Sequence, residues 1–295
     1  MASVADIRTY VYGATYDSWN RVQTMTYPDG EVVTYHYNAA GQVESMTSNK
    51  QGRQSVIVDR IGYDKEGHMV YTKLGNGTET TNTYDKQRER LQAMNLTADG
   101  QTVMENRYQY DAVDNILGIT NAANPTSLTK LNKAKLGGRS SHTYEYDELN
   151  RLIHASGKAK RASYDMVIWI QTPRPNTTPN TTPDPPVSWN DPSNPDDPQA
   201  GYGYIPNDTT KEETFFYHSD HLGSTSYITD DHANITQYDA YLPYGELLVD
   251  EHSSSEDLPY KFNGKEMDAE TGLYYYGARY MNPVASLWYG VGRIY

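Results

Sequence analysis

The stretch 217–225, "YHSDHLGST", holds the residues of this chain best suited to chemistry. His218, Ser219, Asp220 and His221 contain the base, nucleophile and orienting acid of a hydrolase triad. Their adjacency argues against that use. Consecutive strand residues point to opposite faces, so His218 and Asp220 share one face and Ser219 and His221 the other. A triad needs its three groups in one hydrogen-bonded line. His218 with Asp220 supplies two metal ligands, where a site needs three or four. The stretch reads instead as a strand end and turn, with Asp220 ordering the turn and Gly223 taking the positive φ.

Other candidate groups reduce to structure in the same way. Two aspartates can form a protease by sharing a proton, but their side chains must converge from separate segments. Asp230 and Asp231 are neighbours, and Asp268 in "KEMDAETG" fits a turn that closes at Gly272. Arg279 lies among aromatics in "YYYGARYMNP", after Gly277 and before Pro283. It is expected to stack on tyrosine rings or to bind a buried carboxylate. Lys130, Lys133, Lys135, Arg139, Lys158, Lys160 and Arg161 form a basic zone, and such runs are usually solvated surface. The Asn176-Thr177-Thr178 acceptor pattern matters only in a glycosylating pathway. No catalytic residue, cofactor site or metal site is assigned.

The elements that carry these groups are hairpins. A unit recurs at Tyr16-Asp17, Tyr37-Asn38, Tyr63-Asp64, Tyr84-Asp85, Tyr110-Asp111 and Tyr146-Asp147. The tyrosines are 21, 26, 21, 26 and 36 residues apart, a repeat-protein period. Tyr ends a strand, and Asp or Asn opens a turn through its side chain. Asn20, Gly41, Gly67 or Asn150 closes it, because these residues tolerate positive φ. An alternating strand such as "QVESM" follows. Pro28-Asp29-Gly30 marks a further tight turn. No helical pattern of useful length appears before residue 155, although "LTKLNKAKLGGR" could form a short helix ended by Gly137 and Gly138.

Ten of the 15 prolines lie between Pro173 and Pro206, which rules out a sheet ladder there. Strands resume at Phe215–His218, Thr225–Thr229 and Ile235–Tyr238. The organisation expected is a repeat sheet over 1–170, a loop or linker over 171–206 that Trp189 docks locally, and a third region over 207–295.

Composition agrees with a broad, thin sheet. The chain has 28 Tyr against 3 Phe and a hydrophobic fraction of 37%. Tyr suits a half-wet pleated surface. The absence of Cys excludes disulfides and Cys-based zinc sites. A net charge of −13 argues against general nucleic-acid binding. No window approaches a membrane-spanning length, and the N-terminus lacks the pattern of a secretory signal.

These Tyr-Asp units resemble the YD repeats of the Rhs family. "YHSDHLGSTSYITD", "YDAYLPYGEL" and "YKFNGKEMDAETGLYYYGARYMNP" resemble the Rhs repeat-associated core, with Gly264 inside the last motif. The resemblance covers most of residues 10–290 apart from the Pro-rich insert. It implies an all-β fold of YD hairpins wound into a curved, spiralling sheet, as in Rhs proteins, toxin-complex C components and teneurins. It also implies the shell of a polymorphic toxin used in interbacterial competition, with a C-terminal toxin and an aspartic self-protease beyond the core. After Val291 the sequence reads "GRIY", so neither the toxin nor the self-cleavage residues has a counterpart. The expectation is a non-enzymatic partial shell, its core packed at the C-terminal end of the sheet. Its partners would be proteins: a second copy met through open sheet edges, a longer Rhs chain, or secretion machinery. The resemblance to teneurins allows an alternative, an adhesion module that recognises carbohydrate or protein. A bacterial cytoplasmic protein later secreted or displayed is the location implied.

Overall fold

The computed structural model describes residues 11–125, 136–167, 214–253 and 258–290. The Pro-rich stretch with Trp189, Asn176, Lys130, Lys133, Lys135, residues 291–295 and most of the helix expected over 128–139 lie outside the described residues.

The repeat region is one antiparallel meander of 13 strands in sequence order. It begins with β1 (Gly13–Tyr16), β2 (Val22–Thr26), β3 (Val32–Tyr37), β4 (Val43–Lys50) and β5 (Arg53–Tyr63). It continues through β6 (Met69–Leu74), β7 (Glu79–Tyr84), β8 (Leu91–Ala98), β9 (Gln101–Tyr110) and β10 (Ile116–Asn121). It closes with β11 (Ser140–Tyr146), β12 (Leu152–Ala159) and β13 (Ala162–Val167). Every tyrosine of the repeated unit ends an odd-numbered strand, so all six Tyr-Asp turns lie along one margin of the sheet.

Two smaller antiparallel sheets follow, each of four strands in sequence order. One comprises β14 (Phe216–Ser219), β15 (Thr225–Thr229), β16 (Ile235–Tyr241) and β17 (Leu247–His252). The other comprises β18 (Glu266–Asp268), β19 (Leu273–Tyr275), β20 (Arg279–Asn282) and β21 (Leu287–Gly290). No α-helix occurs among the described residues, and a 3-10 turn spans Phe262–Gly264.

The core lies between layers. Strand β8 alternates half-buried and buried residues toward its end, with Met94, Leu96 and Ala98 buried. These join Val103, Met104 and Tyr108 of β9 and meet Tyr227, Ile235, Tyr238 and Ala240 of the second sheet. The second sheet therefore covers the face of the later repeat strands. Apolar alternation on β8 and β9 calls for a facing layer, and end-to-end pairing would leave it wet. Among the described residues the early strands have no such cover, and β1 is exposed along its whole length. Phe262, Tyr274 and Met281 make a second small core under the third sheet.

Leu96 is fully buried at the centre of the inter-sheet core. Leu96→Ala should lower unfolding free energy by about 2–5 kcal/mol in urea titrations, while Val56→Ala on the thin part of the sheet should change it far less.

Candidate functional site

The repeated unit is a turn built by one carboxylate. In the first, the Asp17 backbone N–H donates to the Arg21 carbonyl at 2.9 Å, and Asn20 N–H to the Asp17 carbonyl. Asp17 Oδ1 accepts the N–H groups of Trp19 and Arg21, and the Arg21 guanidinium donates to Oδ2 at 2.7 Å. The same pattern recurs at Asp64 with His68, Asp111 with Asn115, and Asp147 with Arg151. Asn38 Oδ1 accepts the Gln42 N–H while its amide donates to Gln42 Oε1, and Asp85 Oδ1 accepts the N–H groups of Gln87 and Arg88 while Arg90 donates to Oδ2. Hydrogen bonds to Arg21 hold Asp17 below the usual carboxylate range, and the Arg151 side chain does so for Asp147. Asn20, Gly41, Gly67 and Asn150 have φ of 61°, 83°, 91° and 59°, as the turn chemistry requires. Glu89 and Asp114 take the same conformation without being turn formers that sequence reading picks out.

The tyrosine ties one turn to the next. Tyr37 Oη donates to the Val22 carbonyl at 2.7 Å, Tyr63 to Val43 at 2.8 Å, and Tyr110 to Leu91 at 2.7 Å. Tyr146 donates to Ile116 at 3.0 Å, and Tyr84 makes a longer 3.4 Å bond to Met69. Each acceptor is the first residue of the adjacent strand, just past the previous turn. Tyr241 repeats the bond with Thr225 at 2.8 Å in the second sheet. The ladder register slips by one residue at Tyr16, Tyr37, Tyr63, Tyr84, Tyr146 and Tyr241. Such bulges re-aim side chains.

The "YHSDHLGST" stretch forms the same kind of turn. Asp220 Oδ1 accepts the N–H groups of Leu222 and Ser224, and Gly223 has φ of 80°. His218 is buried with Nε2 2.8 Å from Thr229 Oγ1, while Ser219 is exposed. His221 packs edge-on against Tyr108, ring centroids 4.9 Å apart. The four residues form no triad line. The Asp230-Asp231-His232 group has ligand spacing but is contiguous in one turn, where Asp230 already accepts from His232, Asn234 and the Asn234 amide.

In the third sheet, Gly272 N–H donates to the Asp268 carbonyl at 2.7 Å with φ of 67°. Gly264 and Gly277 take positive φ, and Pro283 is buried. Arg279 is exposed and stacks on Trp288 at 4.8 Å, in place of the tyrosine ring or buried carboxylate expected. Tyr276 meets Trp288 edge-on, which leaves the indole as the ring available to the guanidinium.

Sequence reading missed a polar seam between the sheets. A cavity of about 110 Å³ separates β9–β11 from the second sheet, with Asn106, His142, Tyr144, His221 and Asp239 on its wall. His221 Nδ1, Asp239 Oδ1 and the Tyr108 hydroxyl are buried without a hydrogen-bond partner. Lys261, fully buried, places Nζ 3.0 Å from Asp250 Oδ2 and 3.8 Å from Asp239 Oδ1. Burial pushes the Asp239 carboxyl up to about 7, against the pull of Lys261. Burial pushes the His142 and His218 imidazoles down to about 4. At the sheet margin, Lys160 Nζ meets Glu251 at 2.6 Å, so this member of the basic zone serves an inter-sheet bond. Arg139, Lys158 and Arg161 line an open groove beside it.

A family model, the RHS repeat, matches residues 16–54. The toxin subunit YenC2 of Yersinia entomophaga is 34% identical over 129 residues, 41% of this chain and 13% of that protein. The chain carries an RHS repeat at residues 16–54 and is similar over part of its length to a toxin subunit. The tRNA nuclease WapA of Bacillus subtilis aligns with 91% of this RHS-repeat chain and 10% of its own length, at 25% identity. In a solved TcdB2–TccC3 complex, one chain superposes with a TM-score of 0.70 at 17% identity, covering 97% of this chain and 21% of that one. That likeness is one of fold. The RHS-repeat chain spans between a tenth and about a fifth of the relatives it matches.

Two outcomes follow. Tyr63→Phe removes a 2.8 Å staple and should cost about 1 kcal/mol in urea unfolding, whereas Tyr16→Phe should leave the monomer's stability unchanged. The depressed His218 also gives the protein a pH dependence. Its folded value lies below the unfolded value near 6.5, so the unfolded chain binds more protons between the two. Its contribution is complete above about pH 6.5 and falls by on the order of 3 kcal/mol as pH drops to about 4. Asp239, raised in the fold, acts with the opposite sign over part of this window. The His218 share is therefore the difference between the wild-type and His218→Gln stability profiles, which should narrow toward acid. Parallel profiles would sink the assignment.

Proposed function

We propose that this chain is wall and core of a toxin-delivery shell: a non-enzymatic container segment that surrounds a polypeptide cargo. One observation carries the reading. Nearly the whole chain superposes on part of one chain of the TcdB2–TccC3 complex, and its 13 repeat strands run in unbroken sequence order. A meander that adds one strand at a time can curve round a volume without crossing itself. The tyrosine staples fix that curvature turn by turn. The groups that first suggested chemistry are occupied by structural roles. Asp220 and Asp268 order turns, His218 bonds Thr229, and Arg279 stacks on Trp288. The proposed division is a repeat wall over 1–170, a connecting stretch over 171–206 and a core over 207–295. Its partners would be the remainder of a shell, the cargo and the export machinery.

A chimera tests the proposal. This chain replaces the matching segment of YenC2, and the chimera is exposed to protease. Under the shell reading, the material C-terminal to the graft stays protected while isolated reporter loops are cut. A folded chimera whose interior is digested at the rate of an unshielded control would refute it.

A further inference from the structure

Three charged groups meet in the polar seam from separate segments of the chain. Asp239 of β16 and Asp250 of β17 stand directly opposite each other in the ladder. Lys261 follows the bridge between Tyr260 and Glu266 that opens the third sheet. The Lys261 and Asp239 side chains are fully buried, while Asp250 keeps an edge in water. Lys261 Nζ donates to Asp250 Oδ2 at 3.0 Å and stands 3.8 Å from Asp239 Oδ1. Among the described residues that Oδ1 has no hydrogen-bond partner, whereas Asp239 Oδ2 accepts the Gln237 amide at 3.0 Å. The lysine backbone is held on both sides. Its N–H donates to the Lys265 carbonyl, and its carbonyl accepts the N–H groups of Thr225 and Gly264.

An ordinary ion pair sets one cation on one carboxylate, but here a buried amine faces two. Burial pushes the Asp239 carboxyl up to about 7, so its neutral acid form is present at ordinary pH. A neutral carboxyl is an electrophile for an amine, and a desolvated lysine is a nucleophile. Removal from water also disfavours the ammonium form of a lysine. Reacting atoms in a near-attack contact are about 3–3.5 Å apart, and groups held so can reach effective molarities of about 10⁵–10⁸ M. A small turn of the lysine stem closes the remaining gap.

We propose that Lys261 and Asp239 join in an intramolecular isopeptide bond, with Asp250 carrying the protons. Asp250 takes a proton from the Lys261 ammonium. The freed Nζ lone pair bonds to Cγ of the neutral Asp239 carboxyl, and the negative charge of the tetrahedral adduct falls on Oδ2, where the Gln237 amide donates. Asp250 gives its proton to the hydroxyl at Oδ1, the Cγ–Oδ1 bond breaks, and water leaves. Asp250 then takes one proton from the nitrogen, so a neutral amide stands beside a neutral carboxyl. One water is lost, and nothing is oxidised or reduced. The cavity of about 110 Å³ that Asp239 lines can receive that water. The product ties β16 to the segment that opens the third sheet, a covalent staple in a chain without Cys. The reaction runs once per chain, so it is a maturation of the core and is independent of the shell reading.

Mass spectrometry of the folded, full-length protein reads the bond directly. The expected mass is one water below that of the unmodified chain. Chymotrypsin, which cuts after Tyr238, Tyr241, Tyr260 and Phe262, should release residues 239–241 joined to residues 261–262 as one branched peptide. Lys261→Arg should restore the full mass and abolish that peptide. Asp250→Asn should slow appearance of the bond on refolding by about 100-fold or more, the loss of one proton carrier. A wild-type chain with native circular dichroism and the full mass holds an ion pair only, and that result would overturn the proposal. A water loss that survives Lys261→Arg would overturn it too, because it would come from another site such as a cyclised aspartate. An Asp250→Asn chain that bonds at the wild-type rate would remove Asp250 from the mechanism.

Discussion

The hydrogen bond from a turn tyrosine to the carbonyl at the head of the neighbouring strand is the constraint on which this fold depends. Much of the repeat sheet is one layer thick, and its early strands bury few side chains. A layer without a facing partner cannot rely on apolar burial to fix how each hairpin sits on the next. The ladder bonds join strands but permit sliding and splay at their ends. The phenol reaches across the margin and pins the point where splay would begin. It also explains the composition: Phe supplies the same ring without the donor, and this chain uses 28 Tyr and 3 Phe.

The aspartate and the tyrosine divide the work. Asp17, Asp64, Asp111 and Asp147 satisfy backbone donors inside their own turns. The tyrosines satisfy carbonyls of adjacent turns. A turn thus closes locally before it is joined to a neighbour, which suits a chain that lengthens by repetition. The carboxylates are held ionised by the turns they order, and many are paired by Arg, His or Asn four residues on. The net charge of −13 is in part the trace of a turn device repeated along one margin.

Local chemistry was legible in the sequence, and distant pairing was not. Tyr-Asp units, turn-closing Asn and Gly, and the all-β class follow from residues within a few positions of each other. The residue that returns to the carboxylate, such as Arg21, His68 or Arg151, was also within reach. It hides because Arg, His and Asn all serve, so no single letter repeats. The seam could not be read. Asp239 and Lys261 lie 22 positions apart in sequence, with no periodic signal joining them. Asn76 bonds Thr229 and the Asp230 carbonyl across more than 150 residues. The covering of β8 and β9 by the second sheet was implied by their apolar alternation, but the identity of the cover was not.

The seam shows why polar groups are retained where two sheets meet. An apolar interface between flat faces tolerates sliding, because burial is nondirectional. Asn76 on Thr229 and the Asp230 carbonyl, and Lys160 on Glu251, join the wall to the second sheet in one placement only. Ion pairs of this kind add little net stability, and their use here is to specify register. Displacing the second sheet by one residue would leave these groups unpaired at the interface. The staples fix each hairpin against the next, and these polar contacts fix the core against the wall. Both act by making the wrong alignment leave a polar group unpaired.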